Sequence, residues 1–102
     1  MAITYTVMTR IASNPQAALA WAADMASYVR SNFNDTARVL TRVGGPQGVI
    51  TFATTVDDMA ALEKQLAKIQ DDAGYWERVN KALEGGFVDS AVTETAIWSD
   101  IA

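Results

Sequence analysis

RVLTRVGGPQGVITFATTV, residues 38–56, decides the architecture. Two runs of alternating side chains flank Gly44, Gly45, Pro46 and Gly48, and glycine with proline between alternating runs marks a hairpin loop. The stretch predicts two antiparallel neighbouring strands. On either side of it the pattern changes from a period of two to one of three and four, so each end of the hairpin leads into a helix.

Upstream, SNFNDTA (31–37) is a polar turn. Before it, from Ala17 to Phe33, apolar residues recur at Ala18, Trp21, Ala22, Met25, Tyr28, Val29 and Phe33, with Asp24, Ser27 and Ser31 on the opposite face. Such an alanine-rich amphipathic helix can sit close to a sheet. Ser13 and Gln16 have the spacing of a capping box, and Pro15 stands where a first helical turn tolerates proline. Ahead of this start, ITYTVMTRI (3–11) places Ile3, Tyr5, Val7 and Ile11 on one side and Thr4, Thr6, Met8 and Arg10 on the other, the pattern of a strand.

Downstream, Asp57 or Asp58 caps a second helix in which Met59, Leu62, Leu66, Ile69 and Ala73 recur three and four apart. Gly74 reads as a left-handed cap ending it. YWERVNKAL (75–83) carries the apolar spacing onward through Trp76, Val79 and Leu83 as a shorter helix closed by Gly85 and Gly86. FVDSAVTETAIWSDIA (87–102) alternates again and supplies a fourth strand.

Composition bounds what such a chain does. The 102 residues make one domain over 1–102, half of them apolar and a fifth charged, the balance of a folded protein with a single core. A net charge of -4 argues against nucleic acid, whose phosphates demand clustered Lys and Arg, and gives no support for anionic membranes. No apolar run approaches the ~20 residues of a bilayer span, and MAITYTVMTR lacks an export signal, so the expected location is the cytoplasm. With no cysteine and no histidine, disulfides, thiolate nucleophiles, His-containing metal sites and the usual neutral-pH base are all excluded within the chain. No cofactor is expected. Chemistry would fall to Asp, Glu, Tyr, Arg, Lys or a reactive substrate.

The order β-α-β-β-α-β, with one extra short helix before the last strand, predicts a ferredoxin-like α+β fold: a four-stranded antiparallel sheet, strands one and three in the middle, both long helices on one face. The other face has no cover. Nine of the ten threonines lie in the expected strands, so that face mixes Thr with Met, Val, Leu and Arg, too apolar for solvent and too polar for a plain core. A second copy would hide it, which predicts a homodimer, and the space between the two curved sheets, enclosed by Thr4, Thr6, Met8 and Arg10, could hold a small ligand.

In this element order, in GGPQG between the second and third strands and in YWERVNKAL before the last, the chain resembles the dimeric α+β barrel superfamily across nearly its whole length. The resemblance implies subunits paired sheet to sheet. That superfamily includes cofactor-free monooxygenases of the antibiotic-biosynthesis type, haem-degrading enzymes, stress-responsive barrel proteins, NIPSNAP-like proteins and members without a known role, and fold does not choose among them. The lack of histidine separates this chain from the haem-dependent branches.

Candidate residues follow from the expected strands. Arg10, Arg38 and Arg42 would either clamp a carboxylate or enolate or protect a sheet edge. Glu94, between Thr93 and Thr95, is either a base facing a cavity or the partner of a strand arginine. Glu94 and Arg10 are the catalytic candidates, and Met8, Arg10, Arg42 and Tyr75 the ligand-binding ones. Trp76 fits the core spacing, Trp21 and Tyr28 read as packing, and Trp98 could reach a partner subunit. Asp24, Glu63, Asp71, Asp72 and Glu77 fall on predicted solvent faces. The function expected is a homodimeric barrel binding a small organic molecule between sheet and helices, with cofactor-independent catalysis open. The alternative is a non-catalytic dimer that serves protein association.

Overall fold

The computed structural model describes residues 2–42 and 48–101. Its order is β1 (Ile3–Ile11), α1 (Pro15–Asn32), β2 (Arg38–Thr41), β3 (Val49–Val56), α2 (Met59–Gln70), α3 (Ala73–Gly85) and β4 (Val88–Ser99). The strands form one antiparallel sheet in the order β2-β3-β1-β4, so β1 and β3 are central and the fold is ferredoxin-like. Of the expected GGPQG loop only Gly48 falls within the described residues; 44–47 lie outside them.

Register assigns the paired strand residues to faces. Tyr5 stands opposite Thr54 and Ile97, Val7 opposite Phe52 and Thr95, and Thr9 opposite Ile50. These side chains meet the helices, since Ala18 and Ala22 of α1 pack on Ile50, and Trp21 packs beside them with Phe52. Alternation then puts Thr4, Thr6, Met8 and Arg10 on the far face, with Thr55, Ala53, Thr51 and Val49 of β3 and with Arg38 and Leu40 of β2. Glu94, Ala96 and Trp98 join them from β4. The register of β1 against β4 shifts between Met8 and Arg10, moving the partner from Glu94 to Asp89, so β4 carries extra residues there.

Two caps differ from the expectation. Asn14, at φ 48°, caps α1 by accepting the Ala17 N–H at 3.3 Å; asparagine tolerates the left-handed region better than most residues. Ser13 instead donates its hydroxyl to the Gly86 carbonyl at 2.8 Å, tying the start of α1 to the end of α3. Between the two later helices the break falls at Asp71 and Asp72, not at Gly74. Asp72 caps α3, accepting the Tyr75 N–H at 2.8 Å, and Gly74 sits inside the first turn of α3. Asp58 caps α2, bonded to the Ala61 N–H at 2.8 Å, and Gly86 ends α3 at φ 68°, where glycine carries no steric cost.

The displaced break alters which side of α3 faces inward. A helix restarted at Ala73 has its own phase, and Tyr75, Val79 and Ala82, spaced four and three apart, turn toward α1 and the sheet. Ala82 is buried, while Trp76 and Leu83 are 45% and 44% exposed. The core reading of Trp76 is therefore overturned, because its spacing from Ile69 and Ala73 assumed an unbroken helix. Among the described residues Ile50 and Leu62 are the large side chains that are fully buried, and the buried positions of α1 and α3 are mostly alanine: Ala18, Ala22, Ala26 and Ala82. A layer this thin does not fill the interior.

Candidate functional site

The unfilled space is a cavity of about 350 Å³ between sheet and helices, at the lower end of the ~300–1,000 Å³ common for small-molecule sites. Its floor is the helix-side face of the sheet, Tyr5, Val7 and Thr9 of β1 with Phe52 and Thr54 of β3. Trp21 and Met25 of α1 form one wall, Gln65 and Ile69 of α2 another, and Tyr75 and Val79 of α3 the roof. Leu83, Thr93 and Thr95 also line it and are exposed, which places the opening between α3 and β4.

Each wall is held by identifiable bonds. Trp21 packs edge-on to Phe52 with ring centroids 5.7 Å apart and donates its indole N–H to the Arg78 carbonyl at 2.8 Å, so one residue joins α1 to sheet and α3. Gln65 is buried, donating from Nε2 to Thr54 Oγ1 at 3.0 Å and accepting from Asn34 at 2.8 Å. Asn34 also donates to the Thr55 carbonyl at 2.9 Å. A buried amide with partners on two elements fixes its wall more firmly than an apolar residue would.

Tyr75 is set by the α2–α3 junction. Asp72 Oδ2 accepts the Tyr75 N–H and also the Tyr28 hydroxyl, the latter at 2.6 Å, so one carboxylate joins α1 to the first turn of α3. Gly74 permits this approach: a Cβ there would collide with the Tyr28 hydroxyl. Arg78 completes the cluster. Its guanidinium lies 3.9 Å from the Tyr28 ring centroid, pairs with Asp24 at 3.1 Å and donates to the Gly74 carbonyl at 3.2 Å. Asp72, expected on a solvent face, is thus half-buried and structural. The bond to Asp72 raises the Tyr28 pKa, while burial raises those of Tyr5 and Tyr75, the latter further through the neighbouring Tyr5.

Among the sequence-predicted residues, Tyr75 lines the cavity. Met8, Arg10, Arg42 and Glu94 do not. Met8, Arg10 and Glu94 are on the far sheet face by register, and Arg42 is with them, its Nη2 lying 3.7 Å from the Met8 sulfur. Glu94 is exposed and stands opposite Met8. Trp98 shares this face, 60% exposed, and donates its indole N–H to Thr6 Oγ1 at 2.9 Å. Sequence reasoning passed over Tyr5 and Gln65 as site residues. Gln65 interrupts the stripe of Leu62, Leu66 and Ile69, and a polar residue on an apolar stripe is the signal that would have found it. Among the described residues no three carboxylates gather as a metal site, and no helix is long and apolar enough to cross a membrane.

No family model matches the sequence, and no curated protein does. Solved structures share the fold over nearly the full length. The cofactor-independent oxygenase SnoaB from Streptomyces nogalater is 13% identical with a TM-score of 0.67, the match covering 99% of this chain and 94% of that one. A NIPSNAP domain protein from Burkholderia xenovorans is 15% identical with a TM-score of 0.74, covering 98% and 95%. A NIPSNAP family protein from Agrobacterium tumefaciens is 13% identical with a TM-score of 0.71, covering 100% and 97%. The resemblance to the dimeric α+β barrel superfamily is one of fold, and at these identities it transfers no activity.

Proposed function

We propose that this chain is a small-molecule-binding barrel protein that works as a homodimer, its ligand lying between the helices and the sheet. The observation that carries the reading is the cavity of about 350 Å³, walled by apolar side chains with a few polar groups, as ligand sites are. Tyr75 serves as a ligand contact. Met8, Arg10, Arg42 and Glu94, on the opposite sheet face, serve the contact between subunits. Turnover, where it occurs, would run without a cofactor and draw on the reactivity of the bound molecule, in keeping with the likeness to SnoaB, itself a cofactor-independent oxygenase.

The test is native mass spectrometry of protein from the producing cell, comparing the natural chain with Val79→Trp, which fills the roof. The natural chain should retain an organic mass that the variant lacks. Bare chains in both would remove the binding function and leave the second reading, a non-catalytic association module. The exposed Leu40 and Trp98 on the far face, at 46% and 60%, are what favours that alternative.

A further inference from the structure

The polar groups of the cavity fall into two sets. Gln65, Thr54 and Asn34 satisfy one another, and the Thr9 and Thr93 hydroxyls share a bond at 3.4 Å. The hydroxyls of Tyr5 and Tyr75, like that of the exposed Thr95, make no hydrogen bond among the described residues, and because no buried polar atom there is left unpaired, both phenol oxygens are open to the space beside them. A partly buried phenol without a protein partner offers its hydrogen to whatever fills the space beside it.

Charge is missing from the walls in the same way. Arg38 is the charged residue among those lining the cavity, and its register with Ala53 and Thr6 turns its side chain to the opposite sheet face. Arg78 of α3 is committed to Asp24, Tyr28 and the Gly74 carbonyl. An ionised ligand entering here would leave water and meet no counter-charge, a heavy penalty. A neutral ligand with an acceptor would lose little and gain the two phenols.

Resting on the reading above that this cavity is the binding site, we propose that it takes an uncharged molecule with an apolar body of one or two rings and a carbonyl oxygen that accepts hydrogen bonds from both Tyr5 and Tyr75. A carbonyl has two lone pairs and so matches two donors. Tyr5 sits on the rigid central strand and Tyr75 on the helix behind the Asp72 cap. The carbonyl would bridge floor and roof, leaving the apolar body against Trp21, Phe52 and Val79.

Three probes with a common two-ring body test this: 2-acetylnaphthalene, 2-ethylnaphthalene and 2-naphthoate, titrated calorimetrically at pH 7 into the full chain and into Tyr5→Phe, Tyr75→Phe and the double variant. The ketone should bind about tenfold tighter than the hydrocarbon, as two added hydrogen bonds allow, and at least about tenfold tighter than the carboxylate, which must bury its charge. Each phenylalanine variant should lose roughly a fewfold in ketone affinity and the double variant all of the preference, with hydrocarbon binding unchanged. The last point also shows that the cavity survives the substitutions. Equal binding of ketone and hydrocarbon to the natural chain, tighter binding of naphthoate, or a ketone preference that persists in the double variant would each overturn the assignment. Failure of all three probes to bind would instead bring down the binding-site reading itself, and this one with it.

Discussion

Tyr5, Tyr28 and Tyr75 are the three tyrosines of the chain, and each has its pKa raised above 10.0, by burial for Tyr5 and Tyr75 and first by the bond to Asp72 for Tyr28. The sign follows from linkage. A group whose folded pKa exceeds its unfolded one contributes stability that is complete below the unfolded pKa and is lost as pH rises through the folded one. Phenolate absorbance of the native protein should thus remain below half its final value at pH 10, while chains unfolded in urea titrate near the ordinary value of about 10. The phenols' contribution to the melting temperature should decline only above that pH. Coincident native and unfolded titration curves would show that the environment of these phenols has been misread.

At the scale of the element, the junction of α2 and α3 bears most of the organisation around the cavity. Asp72→Ala removes a helix cap worth about 1 kcal/mol and the Tyr28 bond, worth about another. Thermal unfolding should show a loss of about 2 kcal/mol, roughly 10 °C in a domain of this size. Asp71→Ala is the control, since the Asp71 side chain makes no hydrogen bond among the described residues, and it should change stability by no more than about 0.5 kcal/mol. Equal effects would mean that the junction is held elsewhere. The same junction marks where sequence reasoning succeeded and where it stopped. Element order and sheet topology were legible because periods of two and of three to four are local, and the hairpin between two helices leaves few ways to connect. The phase of α3 was not legible, because Asp71, Asp72 and Gly74 each offered a plausible stop, and Tyr28, over forty positions upstream, decides among them. Nor was the site. Alternation sorted Tyr5 from Met8 and Arg10, but the void that makes Tyr5 a contact arises only when the alanines of α1 and α3 fail to fill the space above it.

For the whole molecule, the extents of 38 × 34 × 22 Å put the short dimension at one sheet plus one helix layer. One broad side of the sheet therefore meets solvent in a lone subunit, with Leu40 and Trp98 exposed on it. Sedimentation at micromolar concentration should report particles of about twice 11.0 kDa, and Leu40→Lys, a change at a position already exposed in the monomer, should return them to the single mass. A natural chain that sediments singly would end the homodimer proposal. The carboxylate of Asp72, shared between a phenol on the outside of the domain and the helical turn that carries Tyr75, has a practical consequence. Laboratory evolution toward new ligands need not alter the chamber wall at all, because replacements at Tyr28 would act as a remote adjustment screw on the roof.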